Sequence, residues 1–218
     1  MKNIFLSILA LSLLVPIFAL AENAPVEVRN AVERDDVWSL ERYFEKGIAN
    51  PDSLVEVLPG EGMPILVFAG RTASIEVTKF LIKKGANLNA VTAVGETAMM
   101  MASFFYDESD SPGNSPTNER HHAVVKLLVE AGANIENPQK DQYTPVGYAA
   151  FNGNLKTLLY LLQHRANVNG RKVRGEKNEY ADENLHLCLR SAFSINMWKN
   201  EYTTLLHTNF RYTQMMDG

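Results

Sequence analysis

The sequence predicts an all-α repeat solenoid, and three observations carry that prediction. A thirteen-residue phrase recurs three times, as Ile75–Asn87, His122–Asn134 and Leu155–Asn167. Its centre is an apolar stripe, Val-Val-Lys-Leu-Leu-Val in the middle copy. Its end is a turn position held by Gly85, Gly132 and Arg165, with Gly47 in the same role upstream, spaced 38, 47 and 33 residues apart. The last spacing is one clean unit, and the others are that unit plus insertions of 5 and 14. A unit of this size cannot bury its apolar face alone and must stack on copies of itself.

The 218-residue chain carries a formal charge of -4, with no basic excess to suggest nucleic acid. Residues 1–21 stand apart. Met1-Lys2-Asn3 is a short positive segment, Ile4 to Leu20 is almost wholly apolar, and Ala19-Leu20-Ala21 is a small-x-small cleavage site. That is the pattern of a secretory signal peptide cut between Ala21 and Glu22. The apolar run is at the short edge of a membrane span, so no membrane association is expected after cleavage. The one cysteine, Cys188, allows no intramolecular disulfide, and an exported core must then hold by packing. A simple signal before a small domain points to a bacterial chain that is periplasmic or secreted.

The units resemble the ankyrin repeat family. The family pattern is a Thr-Pro-Leu-His-x-Ala-Ala phrase opening a first helix, Val-Val-x-Leu-Leu-Leu in a second, then Gly-Ala-Asp/Asn and a hairpin. The unit at 140–172 carries Thr144-Pro145-Val146-Gly147-Tyr148-Ala149-Ala150 and then Gly153. The unit at 93–139 carries Gly95-Glu96-Thr97-Ala98 and Ala102. The unit at 60–92 carries Gly62-Met63-Pro64-Ile65 and Ala69, its Pro one place early. The unit at 25–50 keeps Ala31-Val32 and Leu40 to Gly47. The resemblance covers roughly residues 25 to 170.

Each part of the pattern has a physical reason. Thr caps a helix start and Pro suits the first turn. Paired Ala residues let helices approach, and the Leu stripe fills the space between repeats. The turn Gly takes the left-handed conformation that ends the second helix; Arg165 in that place should cost up to about 1 kcal/mol. Glu33, Arg34, Asp35 and Asp36 make the first unit polar, as suits an N-terminal cap whose outer face meets water.

The repeat domain is expected over 22–183, with 184–218 a degenerate C-terminal cap or a non-native, frameshifted tail. Asn184-Leu185-His186-Leu187-Cys188-Leu189 imitates a first helix, but no Leu stripe follows it.

As the resemblance implies, a partner would meet the hairpin tips and the exposed side of the first helices. Carried over singly, those positions are Val94, Glu96, Phe104 and Phe105 in the third unit, with Tyr106 beside them. In the fourth they are Lys140, Asp141, Tyr143, Phe151 and Asn152, and in the second Glu61, Met63, Arg71 and Thr72. Aromatic residues anchor interfaces. The same aromatics could instead pack against the polar, turn-rich insertion Asp107 to Arg120, which must project from the stack. The basic residues Arg171, Lys172, Arg174 and Lys177 are nearly cancelled by Glu176, Glu179, Asp182 and Glu183, which reads as a solvated loop.

No catalysis, metal or cofactor is expected. His121 and His122 are placed at the start of a second helix, where adjacent side chains point about 100° apart and rarely share a metal. Cys188 shows no nucleophile–base arrangement. The expected function is that of an exported, non-enzymatic, monomeric module binding another protein in the periplasm, such as an immunity or inhibitor protein for a toxin or enzyme. A secreted effector acting on host proteins, or a periplasmic stress-protection factor supporting an enzyme, are the alternatives.

Overall fold

The computed structural model describes residues 23–104, 116–136, 144–151 and 154–167. Eight helices are found among them: α1 Val26–Glu33, α2 Val37–Glu45, α3 Ile65–Thr72, α4 Ile75–Lys83, α5 Ala98–Phe104, α6 Pro116–Glu130, α7 Pro145–Phe151 and α8 Leu155–Gln163. Odd-numbered helices pack on one another in chain order, and so do even-numbered ones, giving two layers of antiparallel helix pairs. The core between the layers is continuous from Val28 and Val32 through Leu66, Leu81 and Met99 to Leu128 and Leu161. Residues 184–218, expected to be a degenerate cap or a non-native tail, and residues 1–21, expected to be a signal peptide, lie outside the described residues.

Left-handed turns end the second helices where the recurring phrase places them. Gly47, Gly85 and Gly132 have φ of 66°, 83° and 86°, and Arg165 has φ of 65°. After each, an amide reaches back into the helix: Ala86 to the Leu81 carbonyl at 3.0 Å, Ala133 to Leu128 at 2.9 Å, Ala166 to Leu161 at 3.1 Å. Arg165 therefore holds the conformation that glycine adopts freely. Arg165→Gly should raise stability by up to about 1 kcal/mol, less whatever the freer unfolded chain takes back. Thermal unfolding of the two chains checks this, and a lower midpoint in the variant would contradict it.

A second left-handed position separates the helices of a pair, at Asp35 (φ 56°) and Ala73 (φ 51°). The next residue takes the N-cap place of the second helix, with a side-chain cap at Asp36 and none at Ser74. Asp36 accepts from the Ser39 amide at 3.1 Å and from its hydroxyl at 2.6 Å, and these bonds hold its carboxyl below the usual carboxylate range. Asn154 accepts from the Thr157 amide at 3.2 Å. The polar run of the first unit is thus only partly an outer face in water. Glu33 and Arg34 are exposed, but Asp36 caps its own helix and Asp35 turns into the stack.

The fold is not purely helical. Leu54–Leu58 (β1) pairs antiparallel with Glu61–Pro64 (β2), Leu54 opposite Pro64 and Val55 opposite Met63, around a turn with Gly60 at φ 80°. Alternation in Leu-Val-Glu-Val-Leu before Pro59-Gly60 is a strand signal, submerged in the helical reading. The Ala24 amide donates to the Leu54 carbonyl at 2.6 Å, tying the chain before α1 to this hairpin.

Hairpin bases are joined from repeat to repeat by an amide ladder. The Asn87 amide donates to Asp52 at 2.8 Å, Asn134 to Asn89 at 2.8 Å, and Asn167 to Glu136 at 2.6 Å. The acceptors are themselves set by Asn50, Asn87 and Asn134, whose side chains take the amide two residues on. Asn87 and Asn134 each order their own turn and take the preceding repeat's acceptor.

Candidate protein-binding face

Helices α3, α5 and α7 carry the face. Thr97 and Thr144 set the starts of α5 and α7 by accepting from the Met100 and Gly147 amides at 3.2 and 3.1 Å. Pro64 takes the same place in α3 with no side-chain cap, the one-residue displacement seen in the sequence. Inward, Ala69, Ala102 and Ala149 are fully buried, while Arg71 and Phe104, two places after the first and second of them, are exposed.

Phe104 closes α5 and is 44 % exposed. Its ring meets Tyr148 of α7 edge to face, with centroids 5.1 Å apart and planes at 88°. Val94 sits 58 % exposed at the tip of the preceding hairpin. That tip is a built turn: Gly95 at φ 86° donates to the Thr92 carbonyl at 2.9 Å, and the Thr92 hydroxyl accepts from the Glu96 amide at 3.1 Å. Glu96 is half-buried at its base. Glu61 and Arg71 are exposed and Thr72 half-buried. Met63, expected outward, is buried because β2 turns it onto the core. Phe151 is the last residue of α7, and its side chain lies outside the described part. Phe105, Tyr106, Lys140, Asp141, Tyr143 and Asn152 lie outside the described residues as well.

Tyr148 joins the face although it was read only as part of the helix-opening phrase. It occupies the variable place before Ala149-Ala150, which is the signal that could have found it.

The end of the insertion is helical. α6 begins at Pro116, a residue suited to a first helical turn. His121 and His122 therefore stand in its second turn rather than at its start, and both are buried. They face different neighbours: His121 Nε2 is 3.2 Å from the Arg71 carbonyl, and His122 Nδ1 is 3.2 Å from Thr157 Oγ1. Arg120 donates to Asp35 and to the Ala73 carbonyl, both at 3.1 Å. Lys156 pairs with Glu119. Cys188 and the basic run from Arg171 to Lys177 lie outside the described residues. Among the described residues no helix is long and apolar enough to cross a membrane.

Stacked helix pairs with left-handed turns and laddered hairpins define a helix-turn-helix solenoid presenting a face for recognition. Residues 117–172 match the family model of ankyrin repeats (3 copies), which supports the ankyrin resemblance of the repeated phrase. Ankyrin repeats mediate protein–protein interaction. No curated protein matches the chain.

Proposed function

We propose that this ankyrin chain is an exported, non-enzymatic module that binds another protein through the face made by the third and fourth repeats. The observation that carries the reading is Phe104, nearly half exposed yet braced on Tyr148, in a repeat whose hairpin tip also exposes Val94. Rigid aromatic anchors on stacked helices bind with little ordering cost. The signal-like residues 1–21 support a periplasmic site of action, where the partner would be an exported toxin or enzyme that the module occludes.

A pull-down from periplasmic extract with the chain from Glu22 tests this. One dominant protein is expected, with affinity at least about tenfold weaker for Phe104→Ala, as for an interface anchor. The variant should fold normally, since its side chain is half in water. Undiminished binding by a folded Phe104→Ala chain would sink the proposed face.

A further inference from the structure

The third and fourth repeats meet at a buried imidazole. His122 is 7 % exposed, and its ring approaches Tyr160 of α8 edge to face with centroids 5.5 Å apart. Its Nδ1 is at 3.2 Å from Thr157 Oγ1, also on α8. Tyr160 lies against His164 on its own helix, 4.2 Å between ring centroids. Counting back from the turn glycines, the same place in the second repeat holds Ile75, an apolar residue without a charge to gain.

The charges facing His122 come from both helices. α6 supplies Glu119 and Lys126, and α8 supplies Lys156. Glu119 is the carboxylate of that group, and it is already engaged by Lys156. A proton on His122 would therefore place a cation between two lysines in a site closed to water. Burial first, then Lys156, pushes the imidazole down to about 4 from an ordinary 6.5, with Lys126 acting the same way and Glu119 opposing.

We propose that His122 is an acid-sensitive latch: protonating it opens the α6–α8 contact and frees the α7–α8 pair while the earlier repeats stay folded. Helices α7 and α8 pack on each other and on α5 and α6 of the third repeat, so this terminal pair can come away without the rest. With the contact open, the imidazole regains water and its ordinary affinity for a proton. The closed contact is then at full strength above about pH 6.5 and weakens progressively as pH falls toward 4. The Phe104–Tyr148 brace spans the same two repeats, so opening would also dismantle that face. The latch itself does not depend on a partner.

Hydrogen exchange read by mass spectrometry on the chain from Glu22, corrected for intrinsic rates, tests the latch at pH 7 and pH 4.5. Protection of α8 should fall relative to α4 by on the order of tenfold to a hundredfold. In His122→Asn, which keeps a polar partner for Thr157 but does not titrate, the ratio should stay constant. Lys156→Gln is the second variant, because it frees Glu119 to accompany the imidazolium. It should shrink the loss of α8 protection between pH 7 and pH 4.5. A parallel loss in α4 and α8, an unchanged wild-type ratio, equal acid opening in His122→Asn, or an undiminished acid loss in Lys156→Gln would each overturn the proposal.

Discussion

Gly70→Ala is expected to destabilise the stack by about 1–2 kcal/mol, although alanine is the better helix former. Gly70 lies in the last turn of α3, where a Cβ would come within 2.5 Å of the Ala98 carbonyl oxygen and 3.1 Å of its carbon. Those atoms are backbone at the start of α5, held by its capped first turn, so no flexible side chain can give way. The substitution must part α3 from α5 or tilt one of them. Overpacking of this kind costs about 1–3 kcal/mol and occasionally more, and the propensity gain of about 1 kcal/mol offsets part of it. A fall in melting temperature of several degrees should follow. Arg71→Ala, one residue on and exposed, is the control and should be near neutral. A Gly70→Ala chain as stable as the parent would mean that α3 and α5 are further apart than described.

The repeat phrase made this contact only partly visible. Gly70 corresponds to Ser103 in α5 and Ala150 in α7, all small and all buried or nearly so. Small residues at these places announce close approach, but not which pair is tightest. The second helices were legible for a similar reason: turn, stripe and left-handed residue recur at fixed distance, so even Arg165 could be placed without a glycine to mark it. Val94 and Phe104 were legible as exposed because their repeat positions fix their direction.

What escaped the sequence are pairings set by stacking rather than by local pattern. Val55 and Val57 carry a strand signal only five residues long, which a helical repeat reading absorbs. The Asn ladder recurs plainly, as Asn87-Leu88-Asn89 and Asn134-Ile135-Glu136. Nothing in one sequence says that the third residue of each phrase serves the next repeat. His121 and His122 were placed at the start of a second helix. Their burial follows from α6 starting earlier, at Pro116, which moves both into the stack.

Asp35→Ala should cost about 2–3 kcal/mol, a large effect for a residue whose sequence neighbourhood is a solvated polar run. Its Oδ1 accepts from the Val77 amide in the first turn of α4 at 2.9 Å, across the boundary between the first and second repeats. Its Oδ2 takes Arg120 of α6 at 3.1 Å, and Arg120 also reaches the Ala73 carbonyl. One side chain thus links three repeats. A charged acceptor at a helix N-terminus is worth about 1.5–3 kcal/mol when its loss leaves the amide unpaired. The half-exposed Arg120 pair adds little, at most about 1 kcal/mol. Alanine would also keep the left-handed backbone at φ 56° without a local hydrogen bond to favour it. Asp35→Asn separates these contributions. Asparagine tolerates the left-handed region and keeps an acceptor for Val77, so it should lose only the ion pair and cost about 1 kcal/mol or less. Denaturant unfolding of both variants reads the difference. Equal, small losses would show that Asp35 is a surface residue of the cap, and equal, large losses would assign the stability to the Arg120 ion pair instead of to the cap on α4.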